Sequence, residues 1–409
     1  MSSGSGTSAG TPPTTSTPSP IQRPSSSRNM MWAAVAVVVV VIVVLVVAWQ
    51  AGVFGKASTN NGSCTPPAAK ITGEGSTLVF PLMYFWGTTW ATKAAGSSVN
   101  YASLGSGAGI TAITGHTANF GASDAPLNPG QRAAAPGLML LPESAGGVVP
   151  IYNVPGLSKP LNFTGQVLAE IYNENITMWN DPAIKNINQG VNLPSSSIIP
   201  VHRSDGSGTT FIFSSYLALS SNFWAAKYGH ATIVSWPNAP NTEVASPGNS
   251  GVAASVKTTT DSIGYVDINY ALSNSISYGA VKNPQGNYIL ANLTNTASAL
   301  ADANPALPTP MADWYNVSVL NANGPGDYPI VSFTYLLVFQ DMGKAFGSLI
   351  TQTQVENLVS FLHWIVTVGQ QYAAQLFYIP LPASTVAYDQ AEINSMVYNG
   401  QSFSVCVPS

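Results

Sequence analysis

The chain has 409 residues, enough for about two domains of ordinary size. Only 7% of them are charged, where a typical soluble protein has about 25%. With 13 basic and 17 acidic residues and a net charge of -4, it lacks the basic footprint of a nucleic-acid partner, and the scattered histidines His116, His202, His230 and His363 form no metal-binding pattern.

Polarity comes instead from Ser, Thr, Asn and Gln, which stay uncharged at any pH; such a surface suits an acidic exterior. The two cysteines, Cys64 and Cys406, stand at the two ends of the globular part. Because the ends of a compact domain often lie close together, a Cys64–Cys406 disulfide and two buried free thiols are both open readings.

Residues 1–31, rich in Ser, Thr, Pro and Gly, bury too little apolar surface to order themselves and read as a disordered tail. From Trp32 to Trp49 the sequence is continuously apolar, long enough to cross a bilayer, with a tryptophan at each interface. A cleaved signal segment is the competing reading, but the run is long for one and lacks a clean small-residue cleavage site. An uncleaved anchor is expected, and Arg23 and Arg28 before the span place the globular part outside the membrane. The Asn-x-Ser/Thr triplets at Asn61, Asn162, Asn175, Asn292 and Asn316 permit glycosylation there. Residues 50–69 read as a tether.

From Lys70 the chain repeats one pattern. Ile71-Thr72 begins a short strand, Gly73 to Thr77 is a Gly-rich turn, and Phe80 to Thr92 fits a helix. Val99 to Leu104 is a strand, Gly105 to Gly109 a second Gly-rich turn, and Ile110 to Thr114 the start of a helix. Phe120 to Pro126 reads as a strand ending in a turn, Gly147 to Tyr152 as a strand and Gln166 to Tyr172 as a helix.

Ser197 to Val201 is a strand, followed by the turn His202-Arg203-Ser204-Asp205-Gly206-Ser207-Gly208-Thr209 and by helically spaced Phe211, Phe213, Tyr216 and Leu217. Pro247 to Gly251 opens a helix through Lys257, and Ser262 to Val266 is a strand. Residues 283–328 are the least legible. Pro329 to Phe339 is strand-like, and Val355 to Val368, Gln370 to Phe377 and Ser384 to Tyr398 read as helices. Alternating strand, Gly-rich turn and helix imply α/β layers with mostly parallel strands, with ligands at the strand carboxyl ends.

The turn at 202–209 concentrates anion-binding parts. A helix N-terminus presents unpaired N–H groups, its glycines let the backbone approach a ligand, and Ser207 and Thr209 add hydroxyls. The chain has four arginines and two precede the membrane span, so Arg203 is one of two left for the globular part. Its guanidinium fork suits phosphate or carboxylate, with Asp205 placed to hold it. By itself the turn reads equally as a capped helix with a surface ion pair.

Taken together, Thr72 to Thr77, Asn100-Tyr101 through Gly107, Gly121 to Leu127, Arg203 through Thr209 and Ile263 to Val266 resemble the periplasmic phosphate-binding proteins of bacterial and archaeal phosphate ABC transporters. The resemblance runs from about Ile71 to Tyr398. It implies a two-lobed α/β periplasmic-binding-protein fold, type II-like, hinged and preceded by the N-terminal transmembrane helix. Lobe one is expected from 70–147 plus 330–409 and lobe two from 148–329. It implies phosphate contacts from Thr77, Ser106, Asp124, Arg203, Ser207, Gly208 and Thr209, with Asp205 pairing with the arginine. Leu78 stands where the family usually has Phe, and its backbone N–H is a further expected contact.

The expected role is therefore a monomeric, membrane-tethered receptor with no cofactor, passing inorganic phosphate to an ABC permease. Ionised Asp124 only accepts hydrogen bonds, so it asks for a proton on the ligand, which hydrogen phosphate has and sulfate lacks. The alternatives are a receptor or sensor for another oxyanion and a serine hydrolase, since Gly121-Ala122-Ser123-Asp124-Ala125 approaches a nucleophile elbow.

Overall fold

The computed structural model describes residues 64–157, 159–237, 243–403 and 405–408. The expected tail (1–31), anchor (32–49) and most of the tether lie outside the described residues. Among the described residues no helix is long and apolar enough to cross a membrane.

The strands, in chain order, are β1 (Lys70–Gly75), β2 (Ser98–Ser103), β3 (Phe120–Ser123), β4 (Leu138–Asn153), β5 (Asn162–Phe163), β6 (Ile199–Arg203), β7 (Val244–Ser246), β8 (Ser262–Asp267), β9 (Ser277–Tyr278), β10 (Ala280–Lys282), β11 (Tyr288–Ile289) and β12 (Val331–Phe339). The main sheet runs β2-β1-β3-β12-β4-β8-β6-β7, with β9 also beside β4, and β5, β10 and β11 form a small separate sheet.

The 16-residue β4 is the spine of the molecule. Nine of its first ten residues pair antiparallel with β12, from Phe339 opposite Leu138 to Val331 opposite Gly147, with Glu143 left unpaired where the register shifts. From Val148 onward it pairs with β8 instead, ending with Ser262 opposite Asn153. One continuous strand thus joins two sets of strands, and the change of partner falls beside Gly146-Gly147. Fifteen of its residues are buried, consistent with an apolar run that has no polar face to show to water.

Flanking this spine are two parallel wings. β1 pairs parallel with β2 and β3, and β6 pairs parallel with β7 and β8. Parallel strands need crossover helices. α1 (Phe80–Lys93), α2 (Ser106–Thr114), α3 (Gly208–Ser220) and α4 (Gly248–Thr258) supply them at the strand ends that matter below. α1 buries Leu82, Met83, Trp86, Gly87 and Trp90, the three- and four-residue spacing of one helix face. α5 (Gln352–Val366) packs into the same lobe, its Trp364 ring 5.9 Å from that of Trp90. A disulfide joins Cys64 to Cys406 and ties the two ends of the globular part together.

Three expectations need correction. The sheet is mixed rather than mostly parallel, because β12 runs antiparallel to β3 and to β4, and β4 antiparallel to β8. Gln370 to Phe377 is not a helix but two short 3-10 turns. There the Gln370 amide donates to the carbonyls of Glu143 and Ile365 and its oxygen accepts from Leu381 N–H, while Phe377 takes a left-handed conformation at φ 62°. The last helix, α6 (Ala383–Asn394), stops before Tyr398, because Val397 leaves it to bond with Gln340 and Met342.

Candidate functional site

The carboxyl ends of β1, β2 and β3 form one wall of a cleft. β1 ends at Gly75, and Ser76 follows with its N–H on the carbonyl of Ala122 at 2.9 Å. The Ser76 hydroxyl donates to Asp124 Oδ1 at 2.5 Å and accepts from Leu78 N–H at 3.0 Å. Tyr270 and Tyr378 donate their hydroxyls, each at 2.6 Å, to the carbonyls of Thr77 and Leu78. Beyond β2, Ser106 is the first residue of α2, and its Oγ accepts from the N–H of Asp124 at 3.1 Å.

The opposite wall is the end of β6 and the starts of α3 and α4. Arg203 closes β6, and its Nε donates to Asp205 Oδ1 at 2.7 Å while Nη2 meets Oδ2, a two-pronged pairing. The remaining nitrogen, Nη1, reaches Thr209 Oγ1 at 3.4 Å. Ser207 caps α3 by accepting from Thr210 N–H at 3.0 Å, which leaves its own hydroxyl proton for another acceptor. Gly248 opens α4 at φ 67° and donates its N–H to Asp205 Oδ1 at 3.0 Å.

The walls meet at named atoms. Gly208 N–H donates to Ser106 Oγ at 3.1 Å, and Gly107 N–H donates to the Gly206 carbonyl at 2.9 Å. Asn249 spans the gap, its amide donating to Thr77 Oγ1 at 2.9 Å and to Thr209 Oγ1 at 3.0 Å. Gly208 is required here: a Cβ on it would lie 2.5 Å from Ser106 Oγ and 2.6 Å from Asp124.

Thr77, Ser106, Asp124, Arg203, Ser207, Gly208 and Thr209 are therefore drawn to one place, all buried. Leu78 is there too, but its N–H is taken by Ser76 and its side chain packs beside Gly146.

The two carboxylates of the site are treated in opposite ways. Burial raises Asp124 to about 6, opposed by bonds from Ser76 and Thr334 and by the charge of Arg203. For Asp205, half buried, the desolvation that would raise it is outweighed by Arg203 and the Gly248 N–H, which hold it below its ordinary value. Ser123, the only serine of the elbow-like stretch, spends its hydroxyl locally, donating to the Ala125 carbonyl at 2.6 Å and accepting from its N–H at 3.1 Å. That arrangement offers no activated nucleophile.

Sequence reasoning missed Ser76, Asn249, Thr334 and Glu143. Asn249 sits in the Gly-rich turn Pro247 to Gly251, read only as a helix start. Glu143 carried a signal: it is a single acid within the otherwise uncharged buried run of β4.

A family model described as a PBP superfamily domain matches residues 60–354. The PstS phosphate-binding protein of Xylella fastidiosa (strain Temecula1) is 37% identical over 346 residues, covering 82% of this chain and 89% of its own. That of Pasteurella multocida is 35% identical, covering 80% and 91%. The chain belongs to the PstS family of phosphate-binding proteins. The fold agrees: a solved periplasmic phosphate-binding protein bound with phosphate matches this PstS-family chain with a TM-score of 0.64 at 21% identity, covering 79% and 93%. The chain thus has the two-domain α/β periplasmic-binding-protein fold, and its family comprises transporter binding proteins rather than enzymes.

Proposed function

We propose that this chain binds inorganic phosphate in the cleft between its lobes and delivers it to an ABC permease. The observation that carries this reading is the convergence of Arg203, the N-terminus of α3 and Asp124 within one buried cluster of a PstS-family chain. Arg203, Ser207 and the N–H groups of Gly208 and Thr209 hold the oxygens, joined by the hydroxyls of Thr77 and Ser106. Ionised Asp124 accepts the proton of the ligand, so an oxyanion without one leaves a buried acceptor unpaired. The Leu78 N–H joins these contacts only if it exchanges Ser76 for the ligand.

The lobe limits 70–147 plus 330–409 and 148–329 belong to the same proposal, supported by the change of pairing partner within β4. So do an extracytoplasmic location, supported by the Cys64–Cys406 disulfide, and a monomer tethered by residues 32–49, supported by their apolar run. Calorimetric titration of residues 64–409 with phosphate, sulfate and arsenate tests the function. Phosphate is expected to bind far more tightly than sulfate; equal affinities, or none for phosphate, would refute the reading.

A further inference from the structure

Two further buried acids lie near Asp124 and are not among the proposed phosphate contacts. Glu143, on β4, is fully buried, and so is Asp267 at the end of β8. Among the described residues each has one carboxyl oxygen with no hydrogen-bond partner, Oε2 of Glu143 and Oδ2 of Asp267. Asp267 accepts at its other oxygen from Asn269 N–H at 2.9 Å, and its own N–H donates to Asn249 Oδ1 at 3.0 Å, the residue that joins the walls. Gly146 of β4 lies against Asp267 Oδ2.

The Thr334 hydroxyl on β12 donates to Glu143 Oε1 at 3.2 Å, and it also acts to lower Asp124. The other titratable groups around this cluster are Tyr101, Tyr270, Tyr335 and Tyr378, all raised by burial and by the acids themselves, and Arg203, which acts on Asp124.

A buried acid with an unpartnered oxygen and no cation of its own favours the neutral form. Burial raises Glu143 to about 8 and Asp267 well above its ordinary value, with Asp124 adding repulsion to both.

We propose that Glu143 and Asp267 form a proton-loaded gate on the anion site: the ligand is held while both carry protons and is repelled when they lose them. This rests on the phosphate reading above. With both acids neutral, the site sets Arg203 against Asp205 and has one surplus negative charge, on Asp124. With both ionised, the surplus around the site is three negative charges.

The test is phosphate titration of the parent, Glu143→Gln, Asp267→Asn and the double variant across pH 5.5 to 9.5, with melting at each pH to confirm that every protein is folded. Affinities are compared between proteins at the same pH, so that the ionisation of phosphate itself cancels. Both substitutions keep shape and hydrogen-bonding capacity while fixing the side chain neutral. The variants should match the parent in acid and bind more tightly above the ionisation of Glu143, by about ten-fold for each pK unit of repulsion removed. Parent and variants with parallel profiles throughout would overturn the gate. A parent that binds no phosphate at any pH would instead overturn the functional reading on which it stands.

Discussion

The two walls of the cleft use carboxylates in opposite ways. On the α3 wall, Asp205 is paired with Arg203 through two nitrogens and receives the Gly248 N–H, so its charge is stabilised and spent on holding the arginine in place. On the β3 wall, Asp124 has hydroxyls but no cation of its own, and burial pushes it up towards neutrality. On the proposed reading the first wall supplies the attraction for an anion and the second tests whether that anion carries a proton, so that each can be altered without rebuilding the other.

Removing Arg203 should have the largest effect, because Arg203→Ala deletes the ligand's cation and strands Asp205. A loss of about 3 to 5 kcal/mol, roughly two to four orders of magnitude in affinity, is expected by calorimetry. Thr77→Ala on the opposite wall should cost about 1 kcal/mol, roughly five-fold. Equal losses from the two would erase the distinction between the walls.

Asp124→Asn should act on choice more than on strength. An amide can donate to sulfate, so the phosphate-to-sulfate affinity ratio should shrink by about ten-fold or more. An unchanged ratio would place selection elsewhere.

The smallest effect is on stability against pH. Asp124, Glu143, Asp267 and Asp389 all have values raised by burial, so the folded chain keeps protons that the unfolded chain releases. Their contribution is intact below the ordinary carboxylate range and is lost as pH rises through the folded values, about 6 for Asp124 and about 8 for Glu143. Asp205 runs the other way, stabilising above the ordinary range and losing its contribution as acid protonates it. Melting temperature should therefore fall from pH 5 to pH 9, by roughly 2 to 4 °C per kcal/mol, and Glu143→Gln should flatten that fall. A curve that rises over this range would contradict the buried-acid account.

Much of the site was legible because its chemistry is local. A Gly-rich turn between a strand and a helix announces N–H groups at a helix start, and Arg203 stood out in a chain with so few cations. Asn249 was not legible as a site residue, since its role depends on lying between Thr77 and Thr209, which are 172 and 40 residues away in sequence. Glu143 was not read as a site residue, since its partner Thr334 lies 191 residues away in sequence.

The amino-acid sequence by itself determined the wings, the Gly-rich turns at their strand ends and the residues able to hold an anion. Those properties follow from spacing, backbone freedom and side-chain chemistry within a few residues. Only the tertiary structure decided that β4 joins two sets of strands, that β12 runs against its neighbours and that Cys64 meets Cys406. It also decided which acids lose their water. A carboxyl group's chemistry is set by what surrounds it, and the surroundings of Glu143 and Asp267 are assembled from strands far apart in the chain.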